Sequence, residues 1–274
     1  MSNEFQEFIN KCWSNHDSKS LEVAEDLEKN LHLIDTTDKI PGYVSIVVHT
    51  FGGHLGKWNE ASSLLSKIEE LPSFENNQAV YRGQASLAYC MDNKENFSKY
   101  SGLCTDEGSL VRIYAVAASE LTGQGEIEKA TLAFEKANSE APDGINSSNP
   151  AAKALAVSGN NLACELEEKE SRNESEIALM LSAAKTARKY WEIAGTWVEV
   201  ERAEYRLAIS HLKAEKFNEA LMHARICESI CIENNADPFE LFFAYEALTK
   251  VNRAICVDLK SKVKEEYQGY CQIP

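Results

Sequence analysis

The stretch Leu110–Pro142, LVRIYAVAASELTGQGEIEKATLAFEKANSEAP, carries two runs of helical periodicity on either side of one turn. Tyr114, Ala117, Ala118 and Leu121 recur at helical spacing on the first run, and Ile127, Ala130, Phe134 and Ala137 on the second. Gly123-Gln124-Gly125 reads as the turn, and Pro142 as the stop, because proline cannot continue a helix. Small residues let the two helices approach closely while larger ones fill the space beside them. The stretch reads as a helical hairpin.

Two other segments repeat its central signature. Gly56-Lys57-Trp58-Asn59-Glu60-Ala61, Gly125-Glu126-Ile127-Glu128-Lys129-Ala130 and Glu215-Lys216-Phe217-Asn218-Glu219-Ala220 share a turn residue, an apolar residue two places on, and Ala three places after that. An apolar or small residue follows four after the Ala (Leu65, Phe134, Ala224) and another seven after it (Ile68, Ala137, Cys227). Ala61 and Ala130 lie 69 residues apart, two repeats of about 34 residues. The prolines at 41, 72, 142, 150, 238 and 274 fall at helix boundaries. Only Val44 to Val48 shows strand-like alternation, and it reads as a buried helix that ends at Leu55-Gly56-Lys57. Residues 78 to 104 fit helix-turn-helix spacing without the signature Ala. The spacing divides the chain into about six helix pairs, at 3–35, 38–72, 74–104, 108–142, 150–191 and 195–234, plus C-terminal helices over 238–268.

On these residues the chain resembles the tetratricopeptide repeat family. The block containing Asn160-Asn161-Leu162-Ala163, Lys189-Tyr190-Trp191, Ala194-Gly195-Thr196-Trp197 and Asp237-Pro238-Phe239 is similar to bacterial proteins of this repeat class that carry no assigned function. The resemblance implies an all-α fold, an α-α superhelix: one right-handed solenoid of antiparallel helix pairs over residues 1–274. It also implies a non-catalytic scaffold that binds a protein or peptide segment in a concave groove.

Composition narrows the partners. The 274 residues are 44% apolar and 26% charged, enough apolar surface for a large core. The net charge of -15 disfavours nucleic acid and anionic membranes. No segment reaches the ~18–20 apolar residues of a membrane span. Met1 to Asn10 carries Glu4 and Glu7 and lacks a basic start with an apolar core, which argues against a secretory signal. The eight cysteines are scattered without a CxxC pair and read as reduced thiols of a cytoplasmic protein.

No nucleotide-binding, hydrolase, zinc-protease or calcium-loop signature is present, so no catalytic residue, cofactor or metal is expected. Gly52-Gly53 read as turn glycines, and His49 and His54, bracketing a helix end, as structural residues. His223, Cys227 and Cys231 share a helix face, but a single helix offers poor tetrahedral geometry, and small apolar packing is the better reading of the cysteines. Trp191, Trp197 and Tyr205 read as core aromatics.

The resemblance places groove residues on the first helix of each pair. Taking Ala208 as the small central residue gives Arg202, Tyr205, Arg206, Ile209, Leu212 and Lys213, three of them basic in an acidic chain. The preceding unit contributes Asn160 and Asn161, whose amides can bond a peptide backbone. The set partly resembles the carboxylate-clamp subfamily, which binds acidic C-terminal tails. Asn161, Arg202 and Arg206 match the clamp's Asn and two basic positions, whereas its other Lys and Asn fall on Ala115 and Ser119. The partner implied is a protein or peptide carrying an acidic or C-terminal carboxylate. Two structural alternatives stay open for the arginines: ligand contact, or pairing with Glu199, Glu201 or Glu204 and with neighbouring helices. Two functional alternatives also stay open. One is a module that senses a small peptide or metabolite in a closed pocket near Asn161 and Arg206. The other is a self-assembling structural protein with an exposed apolar patch around Phe239, Phe242 and Phe243.

Overall fold

The computed structural model describes residues 3–270, with side chains for residues 4–261. The described residues form α-helices and short 3-10 and π turns, with no strand among them. The helices are α1 (Asn3–Asn15), α2 (Ser20–Lys29), α3 (Ile40–Val47), α4 (Trp58–Glu69), α5 (Gln78–Cys90), α6 (Lys94–Gly102) and α7 (Ser109–Gly123). They continue as α8 (Ile127–Ser139), α9 (Pro150–Glu168), α10 (Glu174–Ala194), α11 (Trp197–Lys213), α12 (Phe217–Glu233) and α13 (Pro238–Tyr270). No described helix is long and apolar enough to cross a membrane. Cys271 lies outside the described residues, and the other seven cysteines are free thiols.

Two of the three signature segments, at α7–α8 and α11–α12, make one and the same turn, and α5–α6 makes it without the signature Ala. At α5–α6, α7–α8 and α11–α12 the chain passes through a left-handed residue, Asp92 (φ 55°), Gly125 (φ 74°) and Glu215 (φ 57°). The N–H of each donates to a carbonyl three residues back, and the next N–H donates five residues back, to Ala88, Leu121 and His211, at 2.9 Å in all three. This bond pair is the Schellman helix end, which satisfies carbonyls that the helix leaves open. The second helix begins two residues after the left-handed one. Ala130 and Ala220, five after it, are fully buried against the first helix. In α6 that place holds Phe97, whose ring lies 5.9 Å from Tyr89 of α5 and is stacked on Tyr114 of α7 at 5.6 Å.

The α3–α4 turn differs by one residue. Leu55 N–H donates five residues back to Thr50, and Lys57 N–H six back to Phe51 (2.7 Å). The end of α3 is therefore a π-helical turn, Val48–His54. Val44 to Val48 is helical and buried. Gly52 and Gly53 are not turn glycines: both are buried within the π turn, and a Cβ on either would sit 2.8 Å from Glu120 Oε2 of α7. They admit a buried carboxylate to the backbone.

The chain divides into two compact units between Ser158 and Gly159, inside α9. In the first, Tyr43, Ile46, Leu64, Leu65, Ile68 and Leu87 belong to one buried cluster, and α5 packs on α3, α4, α6 and α7. Each buried Leu or Ile there contributes roughly 1.5–3 kcal/mol. In the second, α11 packs on α10, α12 and α13 around Ala208, Ala220, Ala224, Ala247 and Val251. Gly159 lets α9 approach α10, since a Cβ on it would lie 2.6 Å from the Ala183 carbonyl oxygen. Asn173 and Thr196 open α10 and α11 with capping boxes closed by Glu176 and Glu199. Each side-chain cap stabilises its helix by about 1 kcal/mol.

Candidate functional site

The predicted groove residues lie on α9 and α11. Arg202 and Tyr205 face α13, which follows α12 directly. The Arg202 guanidinium bonds Glu240 in a two-pronged contact, with Nε donating at 3.2 Å, while its side chain stays 57% exposed. Tyr205 Oη donates to Glu246 at 2.7 Å, and its ring meets Phe243 edge-on. Lys250 Nζ lies 3.4 Å from the same hydroxyl. The face of α11 at Arg202 and Tyr205 is thus occupied by the chain's own α13. Glu199, a sequence candidate for pairing Arg202, is instead held in the α11 capping box.

One turn further along α11, Arg206 donates to Glu167 of α9, and Ser210 Oγ donates to the other oxygen of that carboxylate at 2.5 Å. Glu167 is 5% exposed in its side chain and Arg206 21%, so this ion pair is shielded from water. Burial pushes the Glu167 carboxyl above the usual carboxylate range, opposed by Arg206 and Ser210. Asn160 and Asn161 lie roughly two helical turns before Glu167 on α9 and bond each other at 3.3 Å. Ile209 is buried, a core residue, and Lys213 is exposed.

The remaining acidic residues of α11 point into its packing with α10 and α12. Glu204 accepts from Arg188 Nε (2.5 Å) and meets His223 Nδ1 (2.7 Å). Burial opposes its ionisation, yet these two partners hold its carboxyl below the usual range. His211 stacks on His223 at 5.3 Å, and burial, with His223 and Lys185 nearby, pushes its pKa down to about 4. Glu201 is fully buried and accepts the Cys227 thiol at 2.7 Å; burial raises both groups. Cys227 and Cys231 are core residues of the α11–α12–α13 packing. An open cleft of about 540 Å³ lies beyond this network, lined by Leu212 and Phe217 and by Lys250 and Arg253 of α13.

The start of α13 carries the other candidate feature. Phe239 and Phe242 are each 61% exposed and Tyr245 50%, spaced three residues apart on the helix whose Glu240 bonds Arg202. Phe243 is half-buried, edge-on to Phe239, Phe242 and Tyr205.

A second constellation, in the first unit, was not visible as a group in the sequence. His49 and His54 of the π turn bring their Nε2 atoms to 3.2 Å. His16, just past α1, joins them, its ring 5.0 Å from His49 and 5.1 Å from His54. One ligand atom from each of the three lies within 4.8 Å of the others. Asp17 Oδ1 is 3.4 Å from both His16 Nε2 and His54 Nε2. His16 Nδ1 bonds the Trp13 carbonyl at 2.5 Å, and His49 Nδ1 faces Glu120 Oε1 at 3.7 Å. Burial and the two neighbouring rings push the His54 pKa down. Burial pushes the Glu120 carboxyl up, against the pull of His49.

No family model, curated protein or solved structure matches the chain.

Proposed function

We propose that the chain is a non-catalytic scaffold of tetratricopeptide-like helix pairs, wound as a right-handed solenoid, that binds a protein or peptide segment. The repeated Schellman turns support the helix-pair reading, as does the packing of first helices on the first helices of following pairs (α3 on α5, α5 on α7). The observation that carries the binding reading is the face of α13. Phe239, Phe242 and Tyr245 stand half or more exposed on the helix whose Glu240 pairs with the half-exposed Arg202. Aromatic residues and Arg dominate the energetics of protein interfaces because they bury large areas at small entropic cost. Because α13 covers the face of α11 at Arg202 and Tyr205, the partner engages α13 together with the exposed edge of α11. An acidic side chain or C-terminal carboxylate would compete with Glu240 for Arg202 while the aromatic rings take an apolar residue beside it.

The same patch supports a second reading, self-assembly through α13. Two variants separate them from loss of fold: Phe239→Ser/Phe242→Ser and Arg202→Ala. Sedimentation across concentration reads self-association, and pull-down from source lysate at two salt concentrations reads partners. Partners lost with both variants and weakened by salt support the scaffold. A concentration-dependent dimer abolished by Phe239→Ser/Phe242→Ser supports assembly. A strictly monomeric chain whose partners survive both variants overturns the assignment of this face.

A further inference from the structure

We propose that His16, His49 and His54, with Asp17 at the rim, form a binding site for a divalent transition metal ion, zinc being the ion that this donor set suits. This site lies in the first unit and is independent of the binding face on α13.

Three of the six ligand separations match a four-coordinate shell, and the three histidine ligand atoms all lie within 4.8 Å of one another. Metal–ligand bonds of about 2.0–2.2 Å at the tetrahedral angle separate neighbouring ligand atoms by about 3.3–3.5 Å. The separations here are 3.2 Å for His49 Nε2 to His54 Nε2, and 3.4 Å for Asp17 Oδ1 to His16 Nε2 and to His54 Nε2. Three imidazoles and one carboxylate are a borderline-soft donor set, suited to zinc and unsuited to calcium or magnesium, which take oxygen ligands.

Outer partners aim the lone pairs inward. Because a carbonyl only accepts, the bond to Trp13 places a hydrogen on His16 Nδ1 and leaves the Nε2 lone pair for the cluster. The buried Glu120 carboxyl stands 3.7 Å behind His49 Nδ1, placed to become the outer partner of His49 once its ring ligates an ion. A carboxylate or carbonyl behind a ligating imidazole is the usual outer shell of a histidine metal site. The backbone is shaped for it as well. Gly52 and Gly53 admit Glu120, where any side chain would collide with its Oε2. The π turn is what brings His49 and His54 together. Five residues turn an α-helix by about 140°, which would direct the two rings to different faces. π turns recur at functional sites for this reason.

The ligands come from two separate elements, the end of α1 and the π turn, so an ion bound here would tie them together. Asp17 is 79% exposed and forms the solvent side of the shell, the route by which an ion enters.

The test is titration of the full chain, stripped with a chelator, with Zn²⁺ against a chromophoric competitor, and with Co²⁺ as a spectroscopic probe. We expect one equivalent bound, with affinity lowered at least about 100-fold by His54→Ala or His16→Gln and about 10- to 100-fold by Glu120→Gln. His223→Ala, in the second unit, leaves it unchanged. The Co²⁺ form should show visible bands of a four-coordinate nitrogen–oxygen site. His16→Gln alters a residue outside any helix, and its far-UV circular dichroism separates lost ligation from lost fold. Failure to retain Zn²⁺, equal affinity in wild type and His54→Ala, or a thiolate charge-transfer band placing the ion on cysteines would each overturn the site. In the first of these cases the cluster is a hydrogen-bonded histidine group, with His54 Nε2–H donating to His49.

Discussion

Replacing Arg206 by Ala tests whether this arginine holds the fold or is free to meet a ligand. The side chains of Arg206 and Glu167 are 21% and 5% exposed, so solvent screening removes little of their interaction. Removing the guanidinium leaves Glu167 with Ser210 Oγ as its remaining side-chain donor. Breaking a buried pair from one side costs about 3–5 kcal/mol, because the surviving charge has lost its compensation. That is a large share of the roughly 5–15 kcal/mol that stabilises a domain. The loss must also depend on pH. Burial already raises the Glu167 carboxyl, and Arg206 is the main opposing charge. Without it, the folded-state pKa climbs further above the unfolded value of about 4.3. The folded variant then binds a proton more tightly than the unfolded chain, so its stability rises as pH falls through the folded pKa towards the unfolded one. Urea unfolding followed by circular dichroism should show the full deficit near pH 8 and about half of it or less near pH 5. Glu167→Gln in the Arg206→Ala background should recover much of the loss at pH 8. A deficit under about 1 kcal/mol at pH 8, or one that does not change with pH, would refute the buried-pair reasoning and return Arg206 to the ligand-binding reading.

His211 supplies a second pH prediction of known sign. Its folded pKa of about 4 lies below the ordinary value near 6.5, so the unfolded chain takes up a proton that the folded one refuses, and the wild type loses up to about 3 kcal/mol as pH falls from 7 to 4. His211→Leu removes that term, and the variant's stability relative to wild type should rise across this interval; a flat difference refutes it. Glu215→Gly should stabilise the protein by roughly 0.5–1 kcal/mol, since glycine adopts the left-handed conformation at φ 57° without steric cost; a lower melting midpoint would show that the side chain contributes more than the backbone loses. Gly159→Ala should destabilise by about 1–3 kcal/mol, because its Cβ would fall 2.6 Å from the Ala183 carbonyl oxygen, and a neutral result in thermal unfolding would mean that α9 can move away from α10 without loss.

The hairpin turns were legible because their determinants are local. A left-handed residue, a helix start two places on and a small residue five places on lie within six positions, and Gly125 and Ala130 report them directly. Glu215 and Asp92 take the same left-handed conformation with a side chain present, so composition alone marks that turn less clearly. The π turn was not legible. Its extra residue changes no local propensity, and Gly52-Gly53 look like turn glycines until Glu120 of α7 is seen against them. His49 and His54 carry no signature for the same reason: a spacing of five belongs to no single face of an α-helix.

The charge run of α11 shows where local reading stops. Arg202 and Arg206 sit among Glu199, Glu201 and Glu204, and helical spacing offers intrahelical pairs for both. Their actual partners, Glu240 and Glu167, lie 38 and 39 residues away on α13 and α9. The exposure of Phe239 and Phe242 likewise depends on which face of α13 meets α11, where the small Ala244 and Ala247 are buried.

By itself the sequence determined the all-helical class, the turns between helices and the small residues that let paired helices approach. These follow from backbone propensity and from a periodicity that every helix imposes on its own residues. Only the tertiary structure decided which carboxylate each arginine meets, that α13 covers Arg202 and Tyr205, and that three histidines from two elements converge. Those outcomes depend on helix rotation and on a one-residue insertion in a hydrogen-bond ladder. Small differences in packing set both, and neither leaves a mark in the order of the residues.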